Sequence, residues 1–291
     1  MTTPLTLQRS DFRCMPRMRV RWAEVDMQKI VFNAHYLMYF DTAMSDYWRA
    51  VAMPYEAAMH QLGGDIYLKK ASVEYFASAR CDEQIDVGMK CARLGNSSIQ
   101  FQGAIFRGDT LLVTGELLYV YADPATQKSQ PIPQPLRALF EDFEAAKPMV
   151  DLAVGPWQAV QTGVEALRRD VFVQEQGIAE GLVFDVADQD AVHASITNRL
   201  GQTIACGRLL SAPGGEARIG RMAVHRVMRG SGLGRDVLDA LMNVARQRGD
   251  TSVLLHAQCS AQGFYERLGF TTRGERYAEA GIDHIDMVRA L

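Results

Sequence analysis

Cysteine is scarce and scattered in this 291-residue chain: Cys14, Cys81, Cys91, Cys206 and Cys259 are five in number, and no two stand in a C-x-x-C pair. An odd set without that spacing argues against a disulfide framework and a cysteine zinc site, and it points to a reducing compartment. An excess of charge of one sign is missing too. Thirty-one basic against 34 acidic side chains leave a net charge of -3, so the basic surplus that a phosphate backbone calls for is not there and nucleic acid is not an expected partner. No uninterrupted apolar run approaches the roughly 18 residues that span a bilayer. Thr2-Thr3-Pro4 leads into Arg9, Asp11 and Arg13 without the apolar core of a signal peptide. The expected setting is the cytoplasm, away from membranes, with no metal. Lysine also stops at Lys147, beyond which there are 15 arginines and no lysine; such a break marks two segments of separate history.

What is present is ordinary globular sequence, 48% apolar and 22% charged, of a length that favours two domains at about 100–200 residues each. Ala122-Asp123-Pro124 breaks a strand pattern, and Pro131, Pro133 and Pro135 follow at alternate positions that neither a helix interior nor a central strand accepts. A short helix from Leu136 to Ala146 ends before Pro148, which puts the boundary near Lys147-Pro148 and the domains at 1–147 and 148–291.

The first half reads as a strand from Met18 to Glu24 and one long helix from Ala34 to Met53. That helix gathers Tyr36, Leu37, Phe40, Met44, Tyr47, Trp48 and Val51 on one face. Strands follow over Asp65 to Ser78, Gln84 to Arg93, Ser98 to Arg107 and Thr110 to Tyr121, the last three turning at Asn96 and at Gly108-Asp109. A sheet of this size needs a cover, so the helix is expected across one of its faces. The second half alternates: helix over Gln158 to Gln174, strands over Ala191 to Asn198, Thr203 to Ser211 and Arg218 to Val224, then a helix from Leu233 to Arg246. A short strand from Ser252 to Ala257, a helix near Ala261 to Leu268, and strands around Phe270 to Tyr277 and His284 to Val288 complete it. The expected class is α+β, an antiparallel sheet wrapped round one long helix followed by a mixed α/β domain.

The strongest chemical signal is Arg229-Gly230-Ser231-Gly232-Leu233-Gly234, between a strand and an amphipathic helix. Glycines let successive N–H groups turn to one point and the helix start adds partial positive charge, which suits a pyrophosphate, with Arg229 and Arg235 to screen further phosphate charge. With Gly263-Phe264-Tyr265-Glu266-Arg267-Leu268-Gly269-Phe270 downstream, this segment resembles the GNAT acetyltransferase family, over about residues 155 to 291. It is similar to the ElaA-like branch in Val171-Phe172-Val173-Gln174-Glu175-Gln176, in Asp188, Asp190 and His193, and in the run from Glu279 to Met287. The resemblance implies that the loop amides bind the pyrophosphate of acetyl-CoA or another acyl-CoA and that backbone groups of Met222, Ala223 and Val224 pair with the pantetheine and polarise the thioester. Tyr265, which alone reads as aromatic packing, becomes the general acid for the departing thiolate. Glu279 and His284 are implied to shape the pocket for the acceptor amine, accepting hydrogen bonds from it or helping to deprotonate it. Asp283 stands where the branch has Pro, and Ser260-Ala261-Gln262 where many relatives place an Asn, for which Gln258 or Gln262 is the replacement. His256, on the short strand, reads as a satisfied core histidine before it reads as a base.

In the first half, Asp26 stands on the loop between strand and helix, four residues before Ile30-Val31, and Asn33-Ala34-His35-Tyr36 opens the helix. A loop aspartate is ordinarily a turn or cap. The order resembles the 4-hydroxybenzoyl-CoA thioesterase-like hot-dog family over about residues 15 to 125. It implies that a thioester carbonyl docks at the helix start on the N–H of Asn33, and that Asp26 attacks it or activates water. Glu24 is a second carboxylate, Asp41 reads as structural, and Lys29 stands where the family commonly has Gly. Such sites lie between two subunits, so at least a homodimer is implied. The two resemblances together imply acyl-CoA hydrolysis in one half and acyl transfer to an amine in the other, or a transferase served by a non-catalytic hot-dog module.

Overall fold

Gly103 and Gly115 stand opposite each other on neighbouring strands, and the ring of Phe40 fills the space above them; a Cβ on either glycine would come within 2.5 and 2.6 Å of that ring. This close approach seats the long helix on the sheet. The computed structural model describes residues 7–211 and 213–291, so Thr2-Thr3-Pro4 lies outside the described residues. The chain separates into two compact units, Met1–Met149 and Val150–Leu291.

In the first unit five antiparallel strands run in the order β1-β3-β4-β5-β2, with β1 Arg17–Arg19, β2 Asp65–Tyr75, β3 Gln84–Leu94, β4 Ser98–Arg107 and β5 Thr110–Ala122. Helix α1, His35–Ala50, buries Tyr36, Tyr39, Phe40, Ala43, Met44 and Tyr47. Its 3.6-residue period puts these side chains on one stripe against the sheet. Two readings need correction. The strand drawn from Met18 to Glu24 stops at Arg19, and Trp22–Glu24 form a 3-10 turn whose Glu24 carboxylate takes the Arg21 amide at 2.7 Å. The long helix ends at Ala50, and Pro54 opens a separate helix α2, Tyr55–Leu62; Leu37, assigned to the apolar face, is exposed. Helix α3, Gln134–Glu144, closes the unit with Leu136, Leu139, Phe140 and Phe143 inward.

The second unit has seven strands in the order β11-β12-β10-β9-β8-β7-β6. They are β6 Val150–Pro156, β7 Val192–Asn198, β8 Thr203–Leu210, β9 Glu216–Val224, β10 Ser252–Gln258, β11 Thr271–Glu279 and β12 Ile282–Ala290. All described pairs are antiparallel except β9 with β10. Helix α4, Trp157–Arg168, packs Trp157, Val164 and Leu167 with Cys206 and Ala223 on one face of the sheet. On the other face Val237 and Leu241 of α6, Leu233–Arg248, crowd with Met222 over Gly207. The expected helix from Gln158 to Gln174 is α4 continued by a π-helical segment, Arg169–Glu175. Two further helices, α5 Glu180–Val183 and α7 Gln262–Glu266, flank the strand ends described next.

Candidate active sites

Asp26 sits in a loop closed by bridges from Val25 to Val31 and from Ile30 to Arg80. Its Oδ1 accepts from the Gln28 amide at 2.8 Å, its backbone carbonyl accepts from Lys29 at 2.9 Å, and Oδ2 has no partner among the described residues. Lys29 holds φ of 61°, a left-handed conformation that glycine adopts without penalty. The loop runs straight into α1. His35 and Tyr36 already donate to Phe32 and Asn33, whereas the amides of Asn33 and Ala34 donate to no described residue. Tyr75 steadies this corner by donating to the Asn33 carbonyl at 3.1 Å. Glu24 serves the same corner from beneath, because its backbone carbonyl takes the Phe32 amide and its carboxylate takes the Tyr39 hydroxyl at 2.6 Å. Burial raises the Glu24 carboxyl, but bonds from Tyr39 and Arg21 outweigh it and hold the group below its ordinary value. A partnered, buried carboxylate of this kind positions its neighbours. Asp26 is half-buried with Oδ2 unclaimed among the described residues, and is the more accessible of the two carboxylates.

In the second unit the cleft comes from strands that part. β9 and β10 pair only where Glu216 to Arg218 meet Ser252 to Leu254, yet both continue. Between their diverging ends lies a pocket of about 500 Å³, with Ile219 to Met222 on one side and Leu255, His256 and Gln258 on the other. Cys206 faces Ala223 while Arg208 faces Gly220, so Arg221 and Met222 share the single partner Gly207, a bulge with Arg221 at φ 52°. Tyr265, Glu279 and His284 also line this pocket. Burial pushes the Tyr265 phenol up to about 12, so it keeps its proton at neutral pH. His284 donates from Nδ1 to the Ile282 carbonyl at 2.8 Å, which leaves Nε2 as an acceptor.

The glycine loop stands at the start of α6. Gly230 and Gly232 have φ of 87° and 92°, and a Cβ on either would meet open space. The amides from Gly230 through Gly234 donate to no described residue, five consecutive donors at a helix N-terminus. Arg229 is spent on the frame: it grips Glu175 through both nitrogens and the Val224 carbonyl through Nε. Ser231 Oγ donates to the Met228 carbonyl at 2.5 Å, and Arg235 is exposed.

Residues 186–291 match the family model for the acetyltransferase (GNAT) domain, and residues 20–140 match that of the thioesterase-like superfamily. The Bacillus subtilis (strain 168) protein YyaT, itself uncharacterised, is 31% identical over 127 residues, 43% of this chain and 85% of its own. A second B. subtilis protein, named as a proposed acetyltransferase, is 32% identical over 135 residues, 45% of this chain and 90% of its own. The chain belongs to the GNAT family. Its first unit is a thioesterase-like hot-dog domain, so the two are fused in one polypeptide. A solved Lactobacillus plantarum structure, named as a proposed N-acetyltransferase, is 32% identical, covers 50% of this chain and 99% of its own, and has a TM-score of 0.47.

The GNAT unit also gives Asp188 and His193 partners that their spacing in the sequence did not show. Asp188 and His193 are buried in an ion network: Arg168 binds both Asp188 oxygens at 2.9 Å, and Arg208 bridges Asp188 to Asp185. Arg221, on the pocket wall, ties the Leu182 and Val183 carbonyls and Asp185. Burial lowers His193, which stays neutral and donates from Nε2 to the Asp188 carbonyl. Asp190 lies outside the network and is exposed. Gln258 lines the pocket and is held by Gln176, whereas Gln262 is bonded to Glu266 within its own helix. Ala223 is buried in the cluster against α4, and Leu233 is buried at the start of α6. Among the described residues no three His, Cys, Asp or Glu side chains group to hold a metal ion, and no helix is long and apolar enough to cross a membrane.

Proposed function

We propose that the GNAT unit transfers an acetyl or other acyl group from CoA to an amine, and that the hot-dog unit hydrolyses acyl-CoA. The observation that carries the first activity is the run of five unclaimed amides from Gly230 to Gly234 beside a cleft that contains Tyr265. The pyrophosphate sits on those amides, and the pantetheine runs along Met222, Ala223 and Val224 into the cleft. The amine, held by Glu279 and His284, attacks the thioester carbonyl, and Tyr265 gives its proton to the departing sulfur. In the hot-dog unit the thioester oxygen rests on the Asn33 amide at the α1 start, and Asp26 attacks the carbonyl or activates water.

The free edge of β2, with Tyr67, Leu68, Tyr75 and Phe76 exposed, supports assembly of at least two copies through this domain. All five cysteines are free thiols, which supports a reducing cytoplasm. Lys29 favours a second reading, a hot-dog module that binds acyl-CoA without cleaving it. The experiment is a panel of acyl-CoA thioesters assayed for free thiol with and without amines. Amine-dependent release supports transfer and amine-independent release supports hydrolysis. Transfer without hydrolysis selects the second reading, and release in neither arm refutes both activities.

A further inference from the structure

His256 stands directly opposite Asp286 across β10 and β12, and Gln258 stands opposite His284. Opposed residues of an antiparallel pair share a sheet face, so these side chains look the same way, and His256, Gln258 and His284 all border the pocket. Tyr277 of β11 is opposed to His284 and stacks on it, 6.0 Å between centroids and 22° between planes. Its hydroxyl donates to Asp286 Oδ1 at 2.8 Å and lies 2.6 Å from His256 Nδ1; Asp286 Oδ1 is 2.9 Å from the same nitrogen. A neutral imidazole that faces a carboxylate and the oxygen of an already donating phenol carries its proton on Nδ1. Nε2 is then a lone-pair acceptor, and no described residue bonds to it. Nor is His256 a core histidine, for its side chain is 37% exposed.

We propose that His256 is the general base for the acceptor amine, with Asp286 and Tyr277 as positioning residues. The assignment rests on the acyl-transfer reading. The amine nitrogen bonds to the thioester carbonyl carbon, the C–S bond breaks, the N–H proton passes to His256 Nε2, and sulfur takes the phenol proton of Tyr265. Amide and free CoA leave, and exchange with water returns one proton to Tyr265 and removes one from His256. Asp286 stabilises the imidazolium formed on the way. His284 and Glu279 border the same pocket, but His284 is anchored on a neutral carbonyl and no described carboxylate orients it. Asp185 and Arg221, the other charged groups on the pocket wall, bind each other.

The test uses the full chain with acetyl-CoA and four amines: benzylamine, putrescine, glycinamide and lysine. His256→Ala should lower kcat about 10²- to 10³-fold with the KM for acetyl-CoA little changed, and added imidazole should restore part of the loss. Asp286→Asn should lower kcat about tenfold or more without raising that KM. Nitrogen-15 NMR, with the His256 signal assigned by its loss in His256→Ala, should show Nδ1 protonated and Nε2 bare. Full turnover in His256→Ala with a transferring wild type overturns the base and leaves the transfer reading standing. A protonated Nε2 also overturns the base, whatever acceptor is found. A wild type that acetylates none of the four overturns the transfer reading for these amines, and the base with it.

Discussion

Arg229 and Glu175 are joined as a bidentate pair, Nη1 to Oε1 at 2.6 Å and Nη2 to Oε2 at 2.7 Å. The pair ties the end of the π-helical segment to the glycine loop before α6. Arg229 holds the Glu175 carboxyl below its ordinary value of 4.5, against a smaller opposing effect of burial. A carboxyl depressed in the folded state contributes its stability above the unfolded value and loses it as pH falls through the folded one. Both side chains are about a third or more exposed, so the pair is worth about 0.2–1 kcal/mol. Glu175→Gln should therefore lower the Tm by no more than about 4 °C at neutral pH, with the difference from wild type closing in acid. Melting curves of both proteins across that range check it.

Gly232→Val should raise the KM for acetyl-CoA in amine transfer by about tenfold or more. At φ of 92° an L-residue costs roughly 1–2 kcal/mol, and the side chain would project into the space left above the amides. An unchanged KM in a folded variant would make the loop a plain turn.

Tyr265→Phe should lower kcat for transfer by about 10²- to 10⁴-fold with little change in KM. The buried ring still packs in the variant, and only the proton is lost. Steady-state kinetics at saturating amine separate the two constants, and a change confined to KM would reduce Tyr265 to a wall of the pocket.

Asp26→Asn should abolish amine-independent CoA release, by about 10²-fold or more, and leave transfer to amines intact. Lys29→Gly should fold at least as well as wild type, since glycine suits the left-handed conformation there. Thiol release in the presence and absence of amine reads both variants, and near-normal hydrolysis in Asp26→Asn would remove the carboxylate from the reaction.

Asp188→Ala should destabilise the GNAT unit by about 3–5 kcal/mol, because Arg168 and Arg208 would be left buried without their shared carboxylate. Denaturant titration measures it. A loss below about 1 kcal/mol would show that water or Asp185 replaces the missing partner.

The sequence by itself determined what depends on local order. The apolar stripes of α1, α3 and α6 follow from a 3.6-residue period, the hairpins of the first sheet from alternation and turn residues, and the turn before α6 from its closely spaced glycines. Asp26 and the glycine loop could be singled out in the sequence because each lies within a few residues of a helix start, α1 and α6. The tertiary structure decided what depends on partners distant in the chain. Trp22–Glu24 alternates like a strand, but Glu24 turns inward to meet Arg21 and Tyr39, and local bonds replace the ladder. β6 ends in Gly155-Pro156 and is mostly exposed, so it becomes a strand only because β7 offers it an edge. The GNAT pocket is of the same kind. Met222, Tyr265 and His284 meet because β9 and β10 stop pairing after Arg218 and Leu254, and His256 acquires Asp286 only through the register of β10 against β12. A register is set by the packing of whole sheet faces, which is why residues 30 apart in the chain carried no visible sign of being neighbours.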